Sequence, residues 1–321
     1  ADVLAVVDMV GSRDQVLHLS RVQRTGIKKE KERLLVISRW RVLLCRPSST
    51  LSSLAVQFSA HLFELRKIAS ATKRELTLTF EKTTLELEFA AVDKVITLLR
   101  RAEEYLFPGK DSSELIQVDV RPATRLRYLL PPDDDDNCGG FTGTYRAYLD
   151  YFRAPSASYE QEVQWIVDNL VAPNSRLDVT SRDFPDMDVW STEHVQAFFG
   201  AFAHNLHFAA LRIKDVKLDR EVHLNGMVSL ARHNRSLETL QLRNVGFSKD
   251  TFVTMCQNGW LARPSPWSLT ALDVSHNALD DRAATALGAC VRRHPTLARL
   301  DVGHCAFRER GMSDLLQAVG D

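Results

Sequence analysis

The chain has no apolar run near the ~20 residues that a bilayer-spanning helix needs, so nothing in its 321 residues reads as a transmembrane segment. The short stretch 3–10 contains Asp8 and lacks a basic flank, which argues against a signal peptide. Cysteine is sparse and odd in number. Cys45, Cys138, Cys256, Cys290 and Cys305 follow no framework spacing and read as reduced thiols of a cytoplasmic protein. Catalytic patterns are missing: there is no G-x-S-x-G, no P-loop and no H-E-x-x-H, so no enzyme is expected. A net charge of zero gives no bulk attraction to nucleic acid. No CxxC pair or closed four-ligand set occurs, and neither metal nor cofactor is expected. Cys290 and His294, four apart on a helical stretch, and the pair His304-Cys305 read as packing positions. The run Asp133–Asp136 lacks the glycine and terminal glutamate of a calcium loop and reads as a solvated linker.

What is present begins with a repeat. Leu237, Leu240, Leu242, Val245 and Phe247 share their offsets with Leu269, Leu272, Val274, Asn277 and Leu279, and again with Leu297, Leu300, Val302, Cys305 and Phe307. This is the leucine-rich-repeat frame. The strand pairs Leu177/Val179, Leu211/Ile213, Leu240/Leu242, Leu272/Val274 and Leu300/Val302 are spaced by 34, 29, 32 and 28 residues. Repeats of that length place a full helix opposite each strand, as in the ribonuclease-inhibitor type. The stripes Val195, Phe198, Phe199, Phe202 and Leu224, Met227, Val228, Ala231 supply such helices. The 32-residue step holds a loop insertion around Trp260–Trp267. A solenoid needs a polar cap. None follows the apolar positions of 312–319, which predicts further repeats beyond residue 321.

Residues 14–107 read as six or seven strands and one helix. Leu76, Leu78, Phe80 and Leu85, Leu87, Phe89 alternate on either side of a short turn. Residues 54–68 read as one long, bent or bulged strand. Val92, Val95, Ile96, Leu99 and Leu106 recur at helical spacing, and Phe107-Pro108-Gly109 ends the helix. This layout is that of a pleckstrin-homology (PH) domain. The expected fold is therefore an α+β PH-like β-barrel with a C-terminal helix over 1–107. A linker with an acidic run and helices packing on the repeats follows over 108–172, and about five leucine-rich repeats, an α/β solenoid, over 173–321.

Charge is uneven. Residues 21–46 hold nine basic side chains against Glu30 and Glu32, residues 108–172 hold six against eleven, and the remainder is balanced. The basic stretch makes Lys28, Lys29, Lys31, Arg33, Arg39 and Arg41 candidates for contact with an acidic lipid surface. On the repeats, the residues between buried leucines face the concave side: Asp178, Arg212, Gln241, Arg243, Asp273, Ser275 and Asp301, a mixed-charge surface suited to a protein partner.

Cys138-Gly139-Gly140-Phe141, then Tyr145, then the run Tyr159-Glu160-Gln161-Glu162-Val163-Gln164-Trp165-Ile166-Val167-Asp168 resemble one family. This is the CARMIL family, linkers of capping protein, the actin-related-protein complex and myosin I. Ser236–Leu240 and Asn244–Phe247 are similar to its repeats, and Phe107–Gly109 to the end of its PH domain. Glu160, Gln161 and Ile166 depart from the family pattern. The resemblance implies a non-enzymatic, membrane-associated scaffold regulating actin assembly, cytoplasmic and at the inner face of the plasma membrane. Capping protein and myosin I would be engaged only through regions outside this chain. The rival reading is a repeat-based inhibitor or GTPase-regulating module unrelated to actin.

Overall fold

The computed structural model of the chain describes residues 15–26, 31–46, 55–110, 115–126, 138–153, 176–180, 190–263 and 267–320, apart from the side chains of Lys31 and of residues 176–180. Lys28, Lys29, the acidic run 133–136 and the expected helix around Val163 and Leu170 lie outside the described residues. The chain divides into two compact units, one of residues 1–106 and 111–133, the other of residues 107–110 and 134–321.

The first unit contains β1 (Val16–Arg24), β2 (Lys31–Ser38), β3 (Arg41–Arg46), β4 (Ala55–His61), β5 (Leu65–Ser70), β6 (Glu75–Phe80) and β7 (Thr84–Glu88). The helix α1 (Val92–Leu106) and the strand β8 (Gln117–Val120) follow. The eight strands join in the order β4-β3-β2-β1-β7-β6-β5-β8. Val22, Leu35, Ile37, Leu44, Ile68, Leu78 and Leu85 pack with Val95, Ile96 and Leu99 of α1 in one core. Leu34, Val36, Leu43 and Cys45, on the other face of β2 and β3, are buried as well. Both faces of these strands are shut off from water, so their sequence is a continuous apolar run where a half-exposed strand would alternate.

Two features differ from the sequence reading. The stretch 54–68 is two strands, parted by a single helical turn at Leu62–Glu64. His61 closes that turn: its Nδ1 accepts from the Phe63 amide at 3.1 Å, and its own amide donates to the Glu64 carboxylate at 3.1 Å. The linker also contributes a strand, β8, parallel to β5. Arg125, just beyond it, is buried, and its guanidinium donates to Asp93 on α1 at 2.7 Å and to Ser70 Oγ on β5 at 2.8 Å. That strand is too short to show a period.

The second unit is a solenoid. It opens with α2 (Phe141–Phe152) and then alternates: β9 (Arg176–Thr180), α3 (Thr192–His204), β10 (Ala210–Lys214), α4 (Glu221–His233), β11 (Thr239–Arg243) and α5 (Lys249–Met255). After a π-type turn over Cys256–Trp260 come β12 (Ala271–Asp273), α6 (Asp281–Arg293), β13 (Arg299–Asp301) and α7 (Glu309–Gly320). The five strands form one parallel sheet in sequence order. The leucine frame is in register across it: Leu177 opposite Leu211, Leu211 opposite Leu240, Leu240 opposite Leu272 and Leu272 opposite Leu300. Helices start where a side chain can cap them. Ser191, Ser248 and Asp280 accept from the first-turn amides of α3, α5 and α6.

The α3 stripe Val195, Phe198, Phe199, Phe202 is fully buried, and Phe141 of α2 stacks edge-on against Phe198, Phe202 and Phe208. On α4 the buried face is His223, Gly226, Met227, Leu230 and Ala231. Leu224 and Val228 are only partly buried. The face is turned because Gly226 abuts the Phe199 ring: a Cβ there would lie 2.4 Å from it.

Candidate functional site

Two surfaces stand out. The first is the basic stretch of the first unit. β1, β2, β3 and β4 pair antiparallel, with Arg24 opposite Lys31 and Arg41 opposite His61. The Arg39-Trp40 turn and the connection after Arg24 therefore lie at opposite ends of β2. At ~3.4 Å per residue the backbone carries Arg39 about 27 Å from Lys31. The six candidate basic residues do not form one patch. Arg39 and Arg41 belong to one end, and the Arg39 guanidinium lies 5.3 Å over the Tyr105 ring, donating to its hydroxyl at 3.2 Å. Lys31 belongs to the other, where the exposed Arg46 and the half-buried Arg24 also end their strands. These last two were not singled out in the sequence, although both fall within the charge count.

Arg33 has to be withdrawn as a surface contact. It is only 8% exposed, donates to the Gln57 side-chain oxygen on β4, and gives a second bond at 2.7 Å to the Glu32 carbonyl. A buried guanidinium persists where such acceptors meet it. Residues that face inward on a strand are not marked by charge alone, and only the pairing of β2 through β3 to β4 reveals this one.

The second surface is the open face of the parallel sheet. Arg212 stands opposite Asp178 and Gln241, Gln241 opposite Asp273, and Asp273 opposite Asp301, one polar row across all five strands. Lys214 and Arg243 pair in the next row. Gln241 donates to the Asp273 carboxylate, and the Ser275 amide donates to it at 2.9 Å. Burial alone would raise the Asp273 pKa. The hydrogen bonds from Ser275 and Gln241 and the charge of Arg243 outweigh it and hold the carboxyl below its ordinary range. Ser275 itself is 2% exposed and supports Asp273 from beneath, so it is corrected from a contact to a backing residue. The side chain of Asp178 lies outside the described residues.

Shortly after β10, β11, β12 and β13 the chain passes through a residue in the left-handed region: Asp215 (φ 55), Asn244 (φ 52), His276 (φ 59) and His304 (φ 56). Asn244 Nδ2 donates to Asp215 at 2.7 Å, and the rings of His276 and His304 stack at 4.2 Å. These four positions recur at the repeat offset, but their mixed residue types give no apolar signal in the sequence. Asn277 occupies its expected place in the frame. It accepts from the amides of Val245 (3.0 Å) and Phe247 (3.3 Å) and donates to the carbonyls of Leu242 and Val274 (2.8 Å each). Cys290 is buried, and His294 accepts from the Trp267 amide at 3.2 Å. Among the described residues no group of three or more His, Cys, Asp or Glu could hold a metal ion. No described helix is long and apolar enough to cross a membrane.

The family pattern described as "Leucine Rich repeat" matches residues 268–288, the segment carrying β12 and most of α6. Protein CARMIL of Dictyostelium discoideum is 22% identical over 84% of this chain and 25% of its own length. The mouse capping protein, Arp2/3 and myosin-I linker protein 3 is 26% identical over 96% of this chain and 22% of its own. This chain is similar to the CARMIL proteins. The similarity to the CARMIL proteins runs through both units and through the Cys138–Tyr145 segment that opens the solenoid. A Rho GTPase-activating protein of Dictyostelium discoideum, gacW, is 24% identical over 83% of this chain and 23% of its own length. The chain spans about a quarter of the length of these curated relatives.

Proposed function

We propose that this chain is the membrane-associated, repeat-bearing part of a non-enzymatic scaffold that regulates actin assembly. The observation that carries this reading is the 96% span of similarity to a capping-protein, Arp2/3 and myosin-I linker, which takes in both units. On this reading the first unit is a PH-like barrel capped by α1. It meets acidic lipid through the end of β2 at Lys31, where Arg24 and Arg46 end their strands, together with Lys28 and Lys29 of the sequence between β1 and β2. Arg39 and Arg41, at the far end of β2, would play a lesser part. The open sheet face, from Arg212 and Arg243 to Asp273 and Asp301, holds a protein partner. Capping protein and myosin I are engaged through regions outside this chain, and the protein works in the cytoplasm at the inner face of the plasma membrane.

Co-sedimentation with phosphatidylserine vesicles tests the lipid contact. A basic residue near an anionic leaflet contributes about 1 kcal/mol, so Lys28→Glu with Lys29→Glu should weaken binding at least tenfold. Undiminished binding by that variant removes the barrel contact. The similarity to gacW favours a second reading, in which the open face holds a Rho-family GTPase. Capture of a GTP-loaded Rho protein by the chain, lost in Asp273→Arg, with no binding to vesicles, would select it.

A further inference from the structure

The repeats are balanced in charge overall, yet the charges are sorted between the two rims of the solenoid. On the rim where strands end and helices begin, the signs alternate and pair: Lys249 lies 3.7 Å from Asp280, and Arg282 lies 3.3 Å from Asp250. On the rim where helices end and strands begin, one sign dominates. Lys110, Arg232, Arg235, Arg263, Arg292 and Arg293 lie there, and Glu238 is the acidic side chain among the described residues of that rim. The cause is local. Helix carboxyl ends carry partial negative charge and favour cations, and α3, α4 and α6 all end here.

Part of this charge is consumed within the fold. Arg263 is buried and donates to the Ala231 carbonyl at 2.8 Å, and Arg293 donates to the Leu261 carbonyl at 2.6 Å. Arg232, Arg235 and Arg292 are exposed. The Gly109 amide donates to the His204 carbonyl at 2.8 Å, which brings Lys110 into the same row. The residues are close enough to feel one another. Burial lowers the His204 pKa to about 3, with the charges of His233, Lys110 and Arg235 adding to the fall. Burial also lowers that of Arg263 to about 10, with Arg235 contributing. One exposed apolar side chain, Leu206 at 48%, stands in this row next to Gly109.

We propose that this rim is a second contact for an anionic phospholipid surface, separate from the barrel. A stacked solenoid sets equivalent positions of successive repeats in a line. Arginines along a line, with Leu206 exposed at its amino-terminal end beside Lys110, match a plane of phosphate headgroups over an acyl boundary. An acidic peptide would be better served by the concave face, where the rows already alternate in sign. The inference extends the membrane reading to the second unit, and its test keeps the two apart.

The whole chain carrying Arg232→Glu, Arg235→Glu and Arg292→Glu is compared with the Lys28→Glu, Lys29→Glu variant on phosphatidylserine vesicles and on neutral phosphatidylcholine vesicles. The rim variant should stay folded, with a small loss of thermal stability from acidic side chains at two helix carboxyl ends, and bind phosphatidylserine vesicles at least tenfold more weakly, whatever the barrel variant does. Wild-type binding by a folded rim variant overturns the proposal and leaves the barrel reading untouched. Leu206→Trp supplies a probe that does not depend on charge reversal. Its emission should shift to the blue on adding phosphatidylserine vesicles and be quenched by brominated acyl chains. An unchanged spectrum, or binding to polyglutamate but not to vesicles, overturns it as well.

Discussion

Asn277 and Cys305 hold the same position in successive repeats and carry very different duties. The Asn277 side chain serves two amides and several carbonyls that have no access to water, whereas the half-buried Cys305 thiol reaches one carbonyl at 3.5 Å. Buried groups left without partners are costly. Asn277→Ala should therefore destabilise the solenoid by about 2–4 kcal/mol, and Cys305→Ala by less than about 1 kcal/mol. Urea unfolding of the two variants measures the difference, and equal losses would contradict this account. His204 gives a pH effect. Its folded pKa is held near 3 by burial and by His233, Lys110 and Arg235, so the folded chain keeps it neutral where the unfolded chain, at about 6.5, takes up a proton. Its contribution is intact above about pH 6.5 and is lost as pH falls, reaching about 2 kcal/mol near pH 5. His204→Phe, which keeps a ring against Phe107, should remove that share of the pH dependence. A variant with the parental slope would show that His204 is protonated in the fold.

At the scale of elements, the frame of leucines and valines was legible because a parallel strand repeated at fixed offset leaves the same residue types at the same places. The pairing register agrees residue by residue. The α4 face was legible only in part, because a glycine carries no hydrophobic signal. Gly226 and the buried His223 turn the helix, and neither enters a count of apolar residues. Gly226→Ala offers a direct check. Helix propensity favours alanine by about 1 kcal/mol, yet its methyl would meet the Phe199 ring at 2.4 Å, and overpacking costs about 1–3 kcal/mol. The variant should be less stable than the parent, and adding Phe199→Leu should recover part of the loss. A stabilised Gly226→Ala chain would mean that the helices can move apart freely. The basic stretch shows the opposite failure. Its residues are contiguous in sequence, and a strand of eight residues, β2, parts them. Arg33 is lost from the surface through a contact with Gln57 that lies 24 residues away.

Across the whole molecule, composition concealed as much as it told. Seventeen basic and seventeen acidic residues from 173 onward cancel in number, but helix direction sorts them between two rims, and only the stacked repeats reveal it. The same stacking has a sense along the chain. On the rim where helices end, polar side chains of each repeat donate to carbonyls of the one before. Asn205 reaches Cys138, Asn234 reaches Phe202, Arg263 reaches Ala231, and Arg293 reaches Leu261. At the amino end α2 buries Phe141, Tyr145 and Leu149 against the first repeats, whereas Leu316 and Val319 of α7 are 65% and 61% exposed. Each repeat is thus a lid on its predecessor. In these 321 residues taken by themselves, the stack should come apart as a zip opens, from α7 backwards, with amide hydrogen exchange slowest in α3 and β10 and faster repeat by repeat toward residue 320. Uniform protection along the solenoid would show instead that it melts as one block.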